Sequence, residues 1–257
     1  MEKRLQGKVA VITGAGSGIG KAIAVRFAQE GANIVVDFRD HEEEAQDTAE
    51  KVQAAGAKAI LVQADVAKLA DGANLIEQAW KQLGSCDLLV NNAGIEKGAD
   101  FWDVTEADFD AVMNVNFKGA FFLTQAFVRK LRDAKKPGRI VNISSVHEDM
   151  VFPHFSTYCA SKGAMRTWMR DLCVELAPLG ITINNVAPGA IATPINRKMM
   201  ANKEEYEGLM QNIPLRRMGE PEEVAGVAAF LASDEGAYVT GSTYYIDGGL
   251  IRNYHEQ

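Results

Sequence analysis

The stretch Lys8-Val-Ala-Val-Ile-Thr-Gly-Ala-Gly-Ser-Gly-Ile-Gly20 decides the fold. Its first half is a short apolar run that predicts a buried strand, and an amphipathic helix to about Glu30 follows it. The N-terminus of such a helix attracts phosphates through its free N–H groups and its dipole, so the loop predicts a dinucleotide site. Gly14 permits a tight turn, Gly18 lets the backbone approach the phosphates, and Gly20 allows close helix–strand packing. Because a glycine loop alone is a weak signal, the flanking strand and helix carry this prediction.

Apolar runs and helical patterns alternate along the remaining chain. This alternation predicts βαβ units with right-handed crossovers, and hence an α/β fold: a single doubly wound, Rossmann-like parallel sheet with helices on both faces. The predicted strands are 8–13, 33–38, 58–63, 87–91, 139–143, 181–186 and 243–246. The predicted helices after the first are 41–55, 68–83, 106–133, 156–177 and 220–233. Without a linker or repeat, we interpret 1–257 as one domain with a long irregular segment at about 189–219.

Composition excludes several classes of function. The net charge of -7 comes without a basic stripe, which argues against nucleic-acid and anionic-membrane partners. Three cysteines without paired spacing and four scattered histidines argue against a disulfide framework and against a metal site. We also find no signal peptide and no apolar run of the ~20 residues that a membrane span needs. We therefore expect a cytoplasmic protein.

A second motif supplies reactive groups. Tyr158 and Lys162 are four residues apart, so a helix places them on one face. Ser145 follows the apolar run 139–143, and reacting groups collect at the carboxyl ends of parallel strands. A neighbouring ammonium is expected to lower the pKa of the phenol from roughly 10, so that it can exchange a proton with an alcohol or carbonyl. Taken alone, Tyr-x-x-x-Lys is much more often an ordinary surface pair of a helix, so the rest of the chain must decide.

Further motifs extend these two along the chain. They are Thr13-Gly-Ala-Gly-Ser-Gly-Ile-Gly20, Asn91-Asn-Ala-Gly94, Asn116, Ser145, Tyr158-x-x-x-Lys162, Pro188-Gly189, Gly241 and Asp247-Gly-Gly249. In joint order and spacing the chain resembles the short-chain dehydrogenase/reductase family over essentially its whole length. The resemblance implies an NAD(P)-dependent oxidoreductase.

The resemblance also implies catalytic roles. Tyr158 would be the general acid/base, Lys162 would lower its pKa and bond the nicotinamide ribose, and Ser145 would position the substrate oxygen. Asn116 would hold a water that connects Lys162 with solvent. A helix kink, or a polar helix residue satisfied by solvent, is the alternative interpretation of Asn116.

The implied dinucleotide site is lined by Gly14, Ser17, Gly18, Ile19, Gly20, Asp37, Phe38, Arg39, Asp65, Val66, Asn92, Ala93, Gly94, Tyr158, Lys162, Pro188, Gly189, Ile191 and Thr193. Asp65 could instead be a helix N-cap. Phe38 stands where NAD-dependent relatives carry their selective aspartate, and Arg39 stands where NADP-dependent relatives carry an arginine. Asp37 comes one residue early and should point to the other face. Although Ser17 is not the basic residue of many NADP users, we expect both cofactors to work, with a preference for NADP.

Three residues resemble the sugar site of bacterial glucose 1-dehydrogenases: Glu96, His147 and Asn196. A desolvated pyranose needs partners for several hydroxyls, and carboxylate, imidazole and amide supply donors and acceptors. With Ser145 and Tyr158, this implies oxidation of D-glucose at C1 to gluconolactone. The plainer interpretations are a solvated loop acid, a packing group over the strand end and a helix N-cap.

Other functions and partners follow from the same motifs. A 3-oxoacyl thioester or ketone reductase of this family is the alternative enzyme, and a nucleotide-binding regulator is the non-enzymatic one. The intact set of polar residues argues against a regulator. Apolar residues on helices 106–133 and 156–177 exceed what one sheet face needs, and with the resemblance they predict a homotetramer. We expect 189–219 to be a substrate lid, and the tail 251–257 to lie near an interface.

Overall fold

The computed structural model describes residues 3–253, and its centre is a seven-stranded parallel sheet in the order β3-β2-β1-β4-β5-β6-β7. The strands are β1 Val9–Ile12, β2 Asn33–Phe38, β3 Ala59–Gln63, β4 Leu88–Asn91, β5 Gly138–Ile143, β6 Ile181–Pro188 and β7 Thr243–Ile246. The strand order reverses direction after β1, as a doubly wound sheet requires. The predicted fold class is confirmed.

Helices cover both faces of this sheet. They are α1 Gly18–Gln29, α2 Glu42–Ala54, α3 Leu69–Leu83, α4 Glu106–Met113, α5 Ala120–Ala134, α6 Ser156–Leu176, α7 Arg197–Ala201, α8 Lys203–Asn212 and α9 Pro221–Ala232. Within the described range 3–253, no helix is long and apolar enough to cross a bilayer.

The apolar core forms two layers, one on each side of the sheet. In β1, Ala10 and Ile12 belong to the layer under α1 and α9, whereas Val9 and Val11 belong to the layer under α3, α5 and α6. Successive side chains of a strand point to opposite faces, so a strand that is covered twice must be apolar throughout. For this reason the central strands read as continuous apolar runs rather than as alternating patterns.

The predicted helix 106–133 is not a uniform α-helix. Residues 114–119 form a π-helical segment between α4 and α5. Asn116 lies inside it, and its side chain bonds both backbone polar groups of Ile95. Such segments occur mostly at functional sites. A tertiary contact thus distorts a helix that the local pattern predicts as regular.

The segment predicted as irregular, 189–219, contains α7 and α8. Asn202 caps α8 by accepting from the N–H groups of Glu204 and Glu205. The two ends of the segment are joined, since Ala192 N donates to Gly219 O at 2.9 Å and Gly219 N donates to Ala190 O at 3.0 Å. The segment is therefore a loop that contains two helices and whose two ends are hydrogen-bonded to each other. Of the predicted tail 251–257, residues 254–257 lie outside the described range.

Candidate active site

The glycine loop has the conformation that the sequence predicts. Gly14 and Gly18 have φ values of 61° and 54°, in the left-handed region that favours glycine. A Cβ on Gly20 would lie 2.4 Å from Gly14 O, so helix and strand approach too closely for any side chain there. Ser17 precedes α1, and in the described structure no side chain caps this helix. Its first N–H groups are thus free for an anion, which fits a dinucleotide phosphate.

The start of the Asn91-Asn-Ala-Gly94 motif supports this loop from below. Asn92 Nδ2 donates to Thr13 O at 2.8 Å and to Gly14 O at 3.1 Å. Thr13 Oγ1 in turn accepts from Asn92 N at 2.9 Å and from Ala93 N at 3.0 Å. The end of β4 is therefore fastened to the end of β1. Gly94 is exposed, and a Cβ added to it would be 3.8 Å from Lys162 Nζ.

Asp37 at the end of β2 faces the glycine loop. It is 2% exposed, and its Oδ2 accepts from Gly14 N at 2.9 Å. Its Oδ1 has no hydrogen-bond partner among the described residues. Burial raises the pKa of Asp37 to about 7, and the carboxylates of Asp65 and Asp71 raise it further. The hydrogen bond from Gly14 N lowers the pKa, but by less than burial raises it. Asp37 thus shapes the loop instead of reaching outward.

The neighbours of Asp37 border an open cleft at the end of the second and third strands. Phe38 is buried, whereas Arg39 is exposed and lines this cleft of about 630 Å³ together with Asp65 and Lys68. Asp65 does not cap α3, whose N-cap position is Lys68. It accepts instead from Ala67 N at 3.0 Å, which leaves it in the cleft wall. The N-cap interpretation of Asp65 is therefore wrong.

Lys162 and Ser145 meet at the end of β5. Lys162 is 4% exposed, and its Nζ donates to Ile143 O at 2.9 Å. The same Nζ lies 5.6 Å from the centre of the Tyr158 ring, as i and i+4 positions of α6 allow. The Ser145 hydroxyl acts on the Tyr158 phenol and favours its charged form. The structure thus brings hydroxyl, phenol and ammonium to one side of one cleft.

The pKa values of this trio correct one prediction. Burial raises the pKa of Tyr158 to about 12, although the bond from Ser145 lowers it, and the charges of Glu96 and Cys159 add to the rise. Burial also lowers the pKa of Lys162 to about 8 against the charge of Glu148. In the chain alone, the pKa of the phenol is thus raised by burial, whereas a lowered value was expected beside Lys162. Loss of water disfavours phenolate and ammonium alike.

Asn116 has a positioning role in the structure. It is fully buried, and its Oδ1 accepts from Ile95 N at 2.8 Å while its Nδ2 donates to Ile95 O at 2.9 Å. The same Nδ2 donates to Ser161 Oγ at 3.1 Å. Asn116 therefore joins the π-helical segment to the loop after β4 and to α6. That Asn116 holds a water connecting Lys162 with solvent stays a prediction.

Glu96 and His147 flank Tyr158. Glu96 is half-buried, burial raises its pKa, and its charge acts on the phenol. The His147 ring stands edge-on to the Tyr158 ring at 6.2 Å and stacks on Phe152 at 4.2 Å. Phe155 extends this stack at 4.1 Å. Phe152 and Phe155 were not predicted as site residues, although two aromatic residues shortly before Tyr158 indicate an aromatic surface beside the phenol.

The residues predicted for the nicotinamide end begin the 189–219 segment. A Cβ on Gly18 would lie 3.5 Å from Thr193 Cγ2, so this part covers the glycine loop. Gly189, after Pro188, packs on Asp247, which would lie 2.9 Å from an added Cβ. Asn196 occupies the N-cap position of α7 without capping it and donates to Ile191 O at 2.8 Å. Ile19 and Val66, also predicted, lie in α1 and after β3.

We predict that Gly20→Ala weakens NADP binding about tenfold or more, because its Cβ meets Gly14 O at 2.4 Å and Asn92 Nδ2 at 2.5 Å. Fluorescence titration measures the affinity. Gly208→Ala is the matched control, since nothing lies within 4 Å of that Cβ. Equal affinities of the two variants would contradict the packing role of Gly20.

We predict that Asp37→Asn stabilises the protein above neutral pH. A folded pKa of about 7 against the ordinary 3.8 means that the folded state holds a proton which the unfolded state releases. Asp37 therefore reduces stability progressively as pH rises between these values, and the loss stays complete above pH 7. Thermal unfolding should show a gain of about 3 °C or more at pH 8 that vanishes near pH 4. Asp40→Asn at the exposed neighbour is the control, and a gain independent of pH would contradict the prediction.

Comparisons with known proteins cover almost the whole chain. A family model described as enoyl-(acyl carrier protein) reductase matches residues 14–251. The 3beta-hydroxysteroid dehydrogenase 1 of Eggerthella lenta is 41% identical over 246 residues, which are 96% of this chain and 94% of that protein. Glucose 1-dehydrogenase 2 of Bacillus subtilis is 38% identical over 253 residues, which are 97% of each.

A solved structure gives the same picture. The gluconate 5-dehydrogenase of Burkholderia cenocepacia, in complex with NADP and tartrate, is 36% identical, covers 98% of both chains and has a TM-score of 0.92. Full-length matches at this identity, together with the glycine loop and the Ser145–Tyr158–Lys162 cleft, lead to one conclusion. The chain belongs to the short-chain dehydrogenase/reductase family of NAD(P)-dependent oxidoreductases.

Proposed function

We propose that this enzyme oxidises the C1 hydroxyl of an aldose, D-glucose, to gluconolactone. The observation that carries the proposal is the pair of polar groups beside the reactive phenol. The Glu96 carboxylate acts on Tyr158, and the His147 ring stands 6.2 Å from the Tyr158 ring. A half-buried carboxylate is suited to sugar hydroxyls and unsuited to an apolar substrate. Similarity to glucose 1-dehydrogenase 2 of Bacillus subtilis supports the same substrate.

The residues of the cleft divide the work of the reaction. NAD(P), when bound in its oxidised form, supplies the hydride acceptor and a positive charge that favours the phenolate. Tyr158 removes the proton of the C1 hydroxyl, and Ser145 holds the same oxygen by a hydrogen bond. Lys162 places its ammonium beside the phenol and stabilises its negative charge. Asn116 keeps α6 and the Ile95 loop in register, so that these groups stay aligned.

Both dinucleotides fit the end of β2, with NADP preferred. Arg39 lines the open cleft, and position 38 carries no acidic side chain. The Nε of Arg39 pairs with Asp40, and its other guanidinium N–H groups suit a phosphate. The neighbouring Asp37 carboxylate is occupied by Gly14 N and does not reach into the cleft. NADP bound to the Burkholderia cenocepacia relative agrees with this preference.

The proposal includes a lid and an assembly. Residues 190–219 are joined at their base, and Thr193 covers the glycine loop, so α7 and α8 form the proposed substrate lid. Exposed apolar side chains, among them Phe109, Phe122 and Val174, lie on α4, α5 and α6 and support the homotetramer. All three cysteines are free, which supports a cytoplasmic setting.

A second enzymatic function has one specific observation in its favour. His147, Phe152 and Phe155 form a continuous aromatic stack beside the phenol. Such a flat aromatic wall suits a ring ketone, and the Eggerthella lenta relative is a hydroxysteroid dehydrogenase. A ketone or 3-oxoacyl thioester reductase is therefore the alternative, whereas a nucleotide-binding regulator would not need Ser145, Tyr158 and Lys162 together.

We predict that the purified enzyme oxidises glucose with NADP and that Tyr158→Phe lowers kcat by about 10²–10⁴-fold, because the phenol is the proton acceptor. The affinity for NADP should stay within about twofold, since the change removes one oxygen and preserves the ring. Steady-state kinetics and fluorescence titration measure both quantities.

A substrate panel separates the alternatives. Glucose, an acetoacetyl thioester and a 3β-hydroxysteroid are assayed with wild type and with Glu96→Gln. The Glu96→Gln change should raise the KM for glucose and leave the KM values for the thioester and the steroid unchanged. Turnover of the thioester or steroid without turnover of glucose would overturn the sugar assignment. Turnover of none of these, with NADP still bound, would support the regulator.

A further inference from the structure

A row of buried amides crosses the sheet below the active site. Asn91, Asn142 and Asn185 are register partners on β4, β5 and β6, and Thr243 continues the row on β7. All three asparagines are at most 3% exposed. Register partners of a parallel sheet point to the same face, here the face that α5 and α6 cover. Polar groups in such a layer need partners, so their bonds can be followed from end to end.

These amides form one hydrogen-bonded chain with a fixed direction. Asn91 Nδ2 donates to Asn142 Oδ1 at 2.9 Å, and Asn142 Nδ2 donates to Asn185 Oδ1 at 3.0 Å. Asn185 Nδ2 then donates to Glu148 Oε2 at 3.0 Å. Every amide dipole points the same way, so each bond polarises the next. The chain ends on the carboxylate of Glu148.

Further donors surround the same carboxylate. Ser144 Oγ donates to Glu148 Oε2 at 2.6 Å, and Thr243 Oγ1 donates to Oε1 at 2.8 Å. Tyr245 OH lies 3.4 Å from Oε1, and Arg166 Nε lies 3.6 Å from it. The Glu148 side chain is 0% exposed. A buried carboxylate with this many donors is built to carry a negative charge.

The Glu148 carboxylate is tied to the same strand end that holds Lys162. Ser144, which bonds Glu148, is the neighbour in sequence both of Ser145 and of Ile143, whose carbonyl accepts from Lys162 Nζ. The other ionisable groups around this place are Tyr158, Glu96, Cys159 and His147 beside the phenol, and Asp149 beside Arg166 and Tyr245. Among the anions in residues 3–253, Glu148 is the one whose charge acts on Lys162.

We propose that Glu148, held as an anion by the asparagine row, is a positioning residue that keeps the buried ammonium of Lys162 charged. The inference deepens the proposed function, because it rests on the role of Lys162 beside Tyr158 and the nicotinamide ribose. When Tyr158 and Lys162 together have lost one proton, two forms are possible. The form with phenolate and ammonium is reactive, whereas the form with phenol and neutral amine is not. The negative charge of Glu148 favours the ammonium and therefore the first form.

The test is the pH dependence of NADPH binding to the intact protein, because it reads Lys162 without requiring any substrate. Wild-type affinity should fall as pH rises through the pKa of Lys162, about 8, and Lys162→Met should lack this step. In Glu148→Gln, the step should move to lower pH by about one unit, because the ammonium loses its counter-charge. In Arg166→Met, the step in NADPH affinity should move to higher pH, because the charge of Glu148 is then no longer offset by the Arg166 guanidinium.

Opposite shifts distinguish a charge effect from a packing defect. A packing defect weakens binding at every pH and leaves the midpoint in place. An unmoved midpoint in Glu148→Gln, or a step that survives in Lys162→Met, overturns the inference. If thermal unfolding shows that Glu148→Gln does not fold, Arg166→Met becomes the deciding variant. An unmoved midpoint in Arg166→Met then overturns the inference. Failure of glucose oxidation leaves these binding curves intact, so the substrate assignment and the inference fail separately.

Discussion

The site depends on one constraint: the phenol of Tyr158 and the ammonium of Lys162 are both shielded from water at the end of one strand. Lys162 is buried against the end of β5, and the phenol of Tyr158 shares its cleft. Desolvation moves the two pKa values towards the uncharged forms, to about 12 and about 8. In the proposed reaction the phenol is therefore inert in the chain alone, and becomes a base when an oxidised dinucleotide brings its positive charge. Such a site resists proton exchange until the hydride acceptor is in place.

The parallel sheet makes this arrangement possible. Its interior strands are largely apolar on both faces, and the buried polar groups at its centre include one internal row of asparagines. Thr13 and Asn92 fasten β1 to β4, and the asparagine row connects β4 to Glu148. Groups far apart in the chain are thus fixed to one rigid element. Catalytic geometry of this kind is more exact than loops alone can provide.

Much of the fold could be predicted from sequence because its signals are local. The predicted strand 33–38 is β2 itself, and the glycine loop has the conformation its spacing requires. The π-helical segment at 114–119 could not be predicted, since it depends on the contact of Asn116 with Ile95. The helix α8 was missed although Asn202 and Glu205 carry the spacing of an N-cap signal.

The site divides in the same way. Residues of the Tyr158–Lys162 spacing share a helix face, so their meeting was predictable, but their pKa values depend on burial that no spacing reveals. Glu148 gave no signal as a member of the site, because its donors come from β6, β7 and α6. The bond of the Asp37 carboxylate to Gly14 N could not be predicted from spacing, and the predicted cofactor contact of Asp37 stays a prediction.

The most direct test is an ultraviolet titration of the Tyr158 phenolate near 295 nm, with Tyr158→Phe as the blank, in the absence and presence of saturating NADP+. Without the dinucleotide, no phenolate from Tyr158 should appear below about pH 10, the ordinary value of tyrosine, since burial raises its pKa to about 12. With NADP+ bound, the phenolate should appear about two or more pH units lower. An identical midpoint in both titrations would contradict the central claim that the arriving charge turns a buried phenol into the catalytic base.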